Sequence, residues 1–346
     1  MRTEILERAS LATSDEDIPC RFCGRPASFI DRYLSPFVED RSIFHQGMNI
    51  YYCRREEIGF AYPVPTADNL SRYYKEIYRD SRRMYPEDSH KQYTVVKSTP
   101  LARSQFMYLS QFIDFDAIQT VIDMGCGHGM LLSQIRARNP RIRLIGIELD
   151  PAVRPFLEKI GAEFIHASAT EQIDAVCDSV GNDTLLISSH ALHYQDDIEF
   201  LHGIIRTIKV RRKNNVCLFI EVPNDTINDP AYMRNRVYDV PKLLFFTAAA
   251  FNKGIFDFEI INVATNGWSL DQEILFRSNR LRRYLQDKGR FRMRAICRGI
   301  AKYFLPIRVR MLLKAMLTGA RTSSSEIFYY SYGGPRRAIR VLGRIG

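Results

Sequence analysis

Apolar and polar positions follow two different periods along this chain, and the change of period is sharpest between residues 120 and 151. Thr120 to Met124 is a short apolar, β-branched run of the kind that forms a buried parallel strand. Gly125, Gly127 and Gly129 break it within five residues. Leu131, Leu132 and Ile135 then recur at helical spacing as far as Asn139-Pro140. Leu144 to Ile147 is a second apolar run, and it stops at Glu148. The alternation continues downstream. It predicts a helix over 151–160 with Pro151 in its first turn, a strand over 163–166 and a strand over 183–187. A helix over 196–210, a strand over 216–220, a helix from Thr247 to about Phe256 and a strand over 258–264 follow. Glu326 to Tyr332, EIFYYSY, reads as a last, antiparallel strand, and the basic tail 333–346 as frayed. Strands alternating with helices predict an α/β fold around a mostly parallel sheet.

Upstream of residue 120 the pattern is different. Residues 1–18 are polar and are expected to be disordered. A proline turn after residue 61 leads into a helix with Leu70, Tyr73, Tyr74 and Tyr78 on one face, and 91–114 reads as a second amphipathic helix. Between them and the N-terminus lies Cys20-Arg-Phe-Cys23-Gly24, a zinc-knuckle spacing, followed thirty residues on by Cys53. A second pair would put a cysteine at position 56, where the chain has Glu56. Three thiolates with either Glu56 or His45 could close a tetrahedral site, structural rather than catalytic.

The segment 120–151 carries chemistry of its own. Glycines let the backbone turn tightly and leave no Cβ between loop and ligand. The helix that follows offers its first N–H groups to that ligand. Glu148, ending the next strand, can accept hydrogen bonds from both hydroxyls of a ribose, as at the carboxyl edge of a parallel sheet that binds an adenosine-containing cofactor. A dinucleotide fingerprint would place its third glycine at Met130, and Gly129 comes one residue early. Asp123, two residues before the first glycine, would repel a pyrophosphate. It suits a cofactor with a cationic end and no phosphate.

The ordered set Asp123, Gly125, Gly127 and Glu148 resembles motif I and the following acidic motif of class I S-adenosylmethionine (SAM) dependent methyltransferases. The Cys20-x-x-Cys23 knuckle, Cys53 after Tyr51-Tyr52 and the Tyr-rich helix make residues 18–265 resemble a branch of bacterial small-molecule methyltransferases that includes zinc-binding sugar C-methyltransferases. The resemblance implies a Rossmann-like seven-stranded sheet with a small N-terminal cysteine-containing subdomain and a basic helical insertion near the C-terminus. The expected divisions are a disordered 1–18, a zinc-ribbon-like and helical 19–90, a methyltransferase domain over 91–268, a basic helical insertion over 269–325, and a last strand and tail over 326–346. SAM is the implied cofactor, held by Asp123, Gly125, Cys126, Gly127, Glu148, Leu149, Ser168, Ala169 and Ser189. Cys20, Cys23 and Cys53 would hold zinc. Ser188 to Tyr194 resembles the family's segment after the fourth strand, where a helix carries two histidines beside the sulfonium. His190 and His193 are therefore the expected bases, with Tyr238 and Glu221 behind them. The histidine of the sugar C-methyltransferases' Tyr-Asp-Glu-His type motif is replaced here by Tyr238-Asp239-Val240-Pro241, which tilts the expectation from C- to O-methylation of a sugar nucleotide or glycan-pathway intermediate.

Composition changes the picture in one respect. Hydrophobic content of 46% and charged content of 25% are those of an ordinary globular protein, and no apolar run reaches the roughly 20 residues of a membrane span. The seven cysteines are irregularly spaced and the N-terminus lacks a secretory pattern, so a reducing cytoplasm is expected. The net charge of +10 is uneven: Leu275 to Gly346 holds 18 Lys and Arg against Asp287 and Glu326, a net +16, which leaves −6 elsewhere. An anionic partner is implied. The basic amphipathic stretch 290–320 suggests contact with an anionic membrane surface, or else a helical cover over the site. An RNA methyltransferase or binder, and a SAM-binding scaffold without chemistry, are the other classes. Ser188-Ser189-His190-Ala191 lacks the prolines and aromatic residue of amino-methylating nucleic-acid enzymes, so nucleic acid ranks below a small molecule.

Overall fold

A computed structural model of the chain describes residues 17–32, 48–66, 68, 101–167, 172–192, 198–225, 227, 242–266 and 338–345. Residues 1–265 with 337–346 form one compact unit and 266–336 a second. Apart from Asn266, every described residue belongs to the first.

That unit is built on a seven-stranded sheet. Its strands are β5 (Thr120–Met124), β6 (Arg143–Glu148), β7 (Glu163–His166), β8 (Thr184–Ser189), β9 (Val216–Pro223), β11 (Glu259–Asn266) and β12 (Ala338–Ile345), in the order β11-β12-β9-β8-β5-β6-β7. The pairs β5/β6, β6/β7, β5/β8 and β8/β9 are parallel, and β12 lies antiparallel to β9. The central strands are buried on both faces, hence their unbroken apolar runs in sequence. Helices cover the two faces. On one lie α4 (Gln172–Ser179) and α5 (Glu199–Val210). Leu201, Ile204, Ile205 and Ile208 of α5 are all buried there, and each contributes roughly 1.5–3 kcal/mol by leaving water. The other face packs α1 (residues 101–109), α2 (Met130–Arg138) and α3 (Arg154–Lys159) through Leu109, Leu131, Leu132, Ile135 and Leu157.

A smaller antiparallel sheet has the order β1-β2-β3-β4-β10, with β1 (Ile18–Pro19), β2 (Pro26–Arg32), β3 (Asn49–Cys53), β4 (Ile58–Tyr62) and β10 (Leu244–Phe246). Its last strand comes from the segment between β9 and β11 and pairs Leu244 with Phe60 and Phe246 with Ile58. The cysteine-bearing subdomain is thus completed by residues from the far half of the chain. Thr247 caps the helix after β10, α6 (Ala248–Asn252), through its Oγ1, and the same hydroxyl donates to the Glu57 carbonyl at 2.8 Å.

Three expectations need correction. The seventh, antiparallel strand is not EIFYYSY, which lies outside the described residues, but Ala338–Ile345. What was expected to fray is buried at seven of its eight positions between β11 and β9, because Ile339, Val341, Leu342 and Ile345 supply apolar surface to the two faces of the sheet. The helix after Thr247 ends at Asn252 rather than near Phe256. Ile18, assigned to a disordered terminus, is paired with Ala27 in a strand. The Tyr-rich helix falls outside the described residues apart from Asp68. Among the described residues no helix is long and apolar enough to cross a membrane.

Candidate active site

The chain runs from β5 outward through β6 to β7, then returns to place β8 and β9 on the other side of β5. At this reversal the connections leave in opposite directions and open a crevice beyond the carboxyl ends of β5 and β8, where open α/β sheets bind their ligands. Two loops flank it. Gly125, Gly127 and Gly129 form the first with φ of +74°, +52° and +67°, a region L side chains rarely adopt. Gly129 opens α2, and no side chain caps the helix. A Cβ on Gly125 would stand 3.0 Å from Cβ of Ala191, so the second loop, after β8, presses directly on the first. A Cβ on Gly127 would meet nothing within 4 Å, so the tip of the turn faces open space.

Two carboxylates bracket the turn. Asp123 is 3% exposed, and among the described residues its Oδ1 has no hydrogen-bond partner. Burial, and after it the charge of Glu148, pushes its carboxyl up to about 7. A buried acceptor without a donor fits a cationic ligand group and is costly without one. Glu148 is already engaged: Oε2 accepts from Gly127 N at 3.0 Å, and Oε1 from Leu149 N at 2.8 Å and Asp150 N at 3.2 Å. Each oxygen keeps capacity for further donors, so the carboxylate can serve a ribose while it holds the glycine turn. The Leu149 carbonyl is bonded to Nε2 of His166 at 2.9 Å, which ties the end of β7 to the end of β6. The Cys126 thiol is pushed well above its ordinary value by burial, and so behaves as packing rather than as a nucleophile.

On the other side of the crevice the register puts Ser189 beside Glu221 and Glu221 beside Arg340, a polar row across β8, β9 and β12. Residues of α1 lie over the row. Gln105 Nε2 donates to Ser189 Oγ at 2.6 Å, and Arg340 Nη2 donates to Ser104 Oγ at 2.6 Å. Arg340 is 2% exposed, and its Nε donates to Oε2 of the fully buried Glu221. His190 Nε2 lies 3.0 Å from the other oxygen, and His190 N donates to the Glu221 carbonyl at 2.7 Å. The His190 side chain is 32% exposed.

These contacts revise two expectations. His190 does not start a helix: it sits at the end of β8 with φ +53°, a left-handed residue that turns the chain across Gly125. Glu221 is no candidate base. Burial alone would raise its carboxyl, but the charge of Arg340 and then the hydrogen bond of His190 outweigh it and bring it down to about 2. Ser104, Gln105 and Arg340 are site residues that the sequence reading missed. One signal was available: Arg340 interrupts the apolar run Ala338 to Leu342, where a cation is stable only with a partner. His193, Tyr238, Ser168 and Ala169 lie outside the described residues, as does His45.

At the small sheet the Sγ atoms of Cys20, Cys23 and Cys53 lie within 4.8 Å of one another, with Cys23 to Cys53 at 3.6 Å. Phe22 N points at Cys20 Sγ at 3.4 Å, and Arg25 N donates to Cys23, contacts that favour thiolates. Burial nevertheless pushes the Cys20 thiol up to about 12 and raises Cys23 as well. Glu56 hydrogen-bonds the Cys23 thiol. Three soft donors at this spacing could hold a metal ion, and a tetrahedral site would need a fourth ligand besides them.

No family model and no curated protein matches the chain. Among solved structures it is similar to the plantazolicin methyltransferase BamL in complex with a triazolic desmethylPZN analog and SAH, at 13% identity and a TM-score of 0.41, over 79% of this chain and 93% of that one. It is also similar to coclaurine N-methyltransferase bound to N-methylheliamine and SAH, at 15% identity and a TM-score of 0.39, over 75% and 73%. A third is the StiE O-MT, residues 942–1257, at 12% identity and a TM-score of 0.36, over 68% and 71%. Likenesses this distant add no weight to the reading of the site, which rests on its own residues.

Proposed function

We propose that this protein is a SAM-dependent methyltransferase for a small-molecule acceptor, with a sugar nucleotide or glycan-pathway intermediate as the acceptor and O-methylation ahead of C-methylation. The observation that carries this reading is the buried Oδ1 of Asp123, without a hydrogen-bond partner among the described residues, beneath the glycine turn, with Glu148 ending the next strand. A phosphate would be repelled by both carboxylates, whereas a ligand with an ammonium or sulfonium and a ribose uses both. The bound cofactor would supply an activated methyl group. The chain's own residues would do the rest. Asp123 binds the cationic methionine end, Glu148 the ribose hydroxyls, the glycine turn excludes water, and His190 takes the proton of the acceptor hydroxyl. His193 and Tyr238 remain part of the proposed base and acceptor set. Ser168, Ala169, Leu149 and Cys126 remain in the proposed cofactor cradle, and Ser189 is held there by Gln105.

The reading includes a structural zinc on Cys20, Cys23 and Cys53, with Glu56 or His45 as the fourth ligand, supported by the thiol spacing. It also includes a cytoplasmic protein that touches an anionic surface through 290–320. Isothermal titration of the chain with SAM and S-adenosylhomocysteine, alongside Glu148→Ala, tests the core of the reading. Micromolar binding that the substitution removes supports it and justifies a screen of nucleotide sugars. No binding to the folded chain ends it.

A further inference from the structure

Cys23 Sγ lies 3.6 Å from Cys53 Sγ, and Cys20 Sγ stands within 4.8 Å of both. We infer that Cys23 and Cys53 are a thiol–disulfide pair, a modification site that uses the same sulfurs as the metal, so that the cluster is either a three-sulfur metal site or a crosslink and never both. The inference is independent of the methyl-transfer reading. To the zinc reading it adds a second, oxidised state of the ligands.

Three observations choose this pair. The first is distance. A disulfide holds its sulfurs about 2.05 Å apart, so a separation of 3.6 Å leaves roughly 1.5 Å to close. The second is access. Cys20 and Cys53 are 3% and 0% exposed, whereas Cys23 is half-buried on its turn. An oxidant in solution therefore reaches Cys23 first, and Cys53 is the sulfur in contact with it. The third is the hold on Cys20. Phe22 N–H donates to Cys20 Sγ at 3.4 Å, and the knuckle closes through Cys20 N to the Arg25 carbonyl at 2.7 Å and Gly24 N to the Cys20 carbonyl at 2.8 Å. Those contacts fix Cys20 in the knuckle, while Cys23 turns its sulfur to the end of β3.

The oxidant is a small-molecule disulfide, RS–SR. The Cys23 thiol loses its proton, its sulfur attacks one sulfur of RS–SR, and RS⁻ leaves and takes up a proton. The Cys53 sulfur, likewise deprotonated, attacks Cys23 Sγ, and the second RS⁻ leaves and is protonated. Two cysteine thiols are oxidised by two electrons, and one RS–SR is reduced to two RSH. The new bond joins residues 30 positions apart and ties the knuckle to β3 across the gap that a metal would bridge. It leaves Cys20 as a single sulfur, too few for a tetrahedral thiolate site, so bound metal protects the pair and the crosslink excludes the metal. In a reducing compartment such a bond forms only when the thiol pool is oxidised.

The test uses the whole, metal-free chain, equilibrated without oxygen in mixtures of reduced and oxidised glutathione, then alkylated and mapped by mass spectrometry. A Cys23–Cys53 crosslinked peptide should appear in one step as the ratio [GSH]²/[GSSG] falls. Buffered free zinc at about 100 times its dissociation constant should lower the midpoint ratio about 100-fold, because zinc holds only the reduced form. The oxidised chain should take up no zinc until dithiothreitol restores the thiols. A Cys20–Cys23 or Cys20–Cys53 bond in place of Cys23–Cys53 overturns the inference. So does a lasting glutathione adduct on Cys23 with no crosslink, a set of thiols that stays free in oxidised glutathione alone, or zinc bound to the disulfide form. Cys53→Ser separates the two steps and should stop at the glutathione adduct; if that variant does not fold, the wild-type map still decides. A reduced chain that takes up no zinc ends the zinc reading and leaves the crosslink to stand or fall on the same map.

Discussion

The backbone N–H of Gly127 donates to Oε2 of Glu148 at 3.0 Å, so the acid that closes β6 also holds the turn that follows β5. The two ends of the proposed cofactor site are therefore one mechanical unit. Glu148→Gln keeps the volume, but its NH₂ must face the Gly127 N–H or give up the N–H groups of Leu149 and Asp150. Losing one or two charge-assisted hydrogen bonds costs about 1.5–3 kcal/mol each, so S-adenosylhomocysteine affinity should fall by 10- to 100-fold or more. Titration calorimetry checks this, and wild-type affinity in Glu148→Gln would remove Glu148 from the ribose.

Asp123 would tie the proposed cofactor binding to pH. Its carboxyl, raised by burial and then by Glu148 from 3.8 to about 7, is neutral in the ligand-free protein over the range where an unfolded chain is already ionised. The sign follows: its contribution to stability is full below about pH 4 and is lost as pH rises through 7. Asp123→Asn should therefore be close to wild type near pH 4 and the more stable protein at pH 8, by an amount on the order of 4 kcal/mol at most. The same variant should lose SAM, because the neutral amide cannot pair with the ammonium. Urea denaturation between pH 4 and 8 and calorimetry on one pair of proteins read both effects. Stability curves that stay parallel would mean that the carboxyl titrates normally.

How much of this was legible in the sequence follows from the distance over which each feature is encoded. The β5–turn–α2–β6 unit could be read because its glycines, apolar runs and Glu148 fall within about thirty residues and each acts through the local backbone. The row Ser189–Glu221–Arg340 could not, because its members meet only through strand register, with Arg340 119 positions beyond Glu221 and 236 beyond Ser104. In a tail with so many arginines a buried one looks like its neighbours. EIFYYSY had the stronger strand propensity, yet strand order is set by which segment can satisfy β9 and the buried Glu221. His190 read as helical because Ser188 to Tyr194 resembles a family segment that is helical there, whereas a left-handed residue follows the strand end here.

The thiol cluster makes a stability prediction that does not involve catalysis. Three sulfurs within 4.8 Å join the Cys20–Cys23 turn to Cys53 at the end of β3. Purified protein should carry about one zinc per chain, and chelation or Cys53→Ser should remove it and lower the melting temperature of the small sheet. Glu56→Ala should weaken zinc binding without abolishing it. Elemental analysis with thermal denaturation reads this, and a chain that is metal-free as isolated and indifferent to added zinc would leave the cluster as three packed thiols.

Gly343 tests whether β12 is structural. A Cβ there would stand 2.2 Å from Cδ2 of Phe258 and 2.7 Å from the Glu259 carbonyl, and neither that ring nor that backbone can withdraw without opening the edge of the sheet. Gly343→Ala should destabilise by about 1–3 kcal/mol at every pH, and deletion of 338–346 should prevent folding. Chemical denaturation checks the first and expression of the folded protein the second.

Arg340→Met should show a different signature from the glycine variant, because it strands a charge. With Arg340 present, the Glu221 carboxyl lies near 2 against an ordinary 4.5, so the pair contributes stability above about pH 4.5 that is lost as pH falls toward 2. Removing the guanidinium leaves the Glu221 carboxyl buried without a cation, so at neutral pH it must take up a proton or stay charged, a cost of about 3–5 kcal/mol. In acid the stranded group is protonated and the cost shrinks. The gap between wild type and Arg340→Met should therefore narrow as pH falls from 7 to 4, whereas the gap for Gly343→Ala stays level. Glu221→Gln with Arg340→Met should recover most of the loss at neutral pH, since neither partner is then charged. Urea denaturation of the four proteins at pH 4, 5.5 and 7 separates the cases. A pH-independent loss in Arg340→Met that the second substitution does not recover would mean that Arg340 stabilises the protein through its packing on Tyr108 rather than through Glu221.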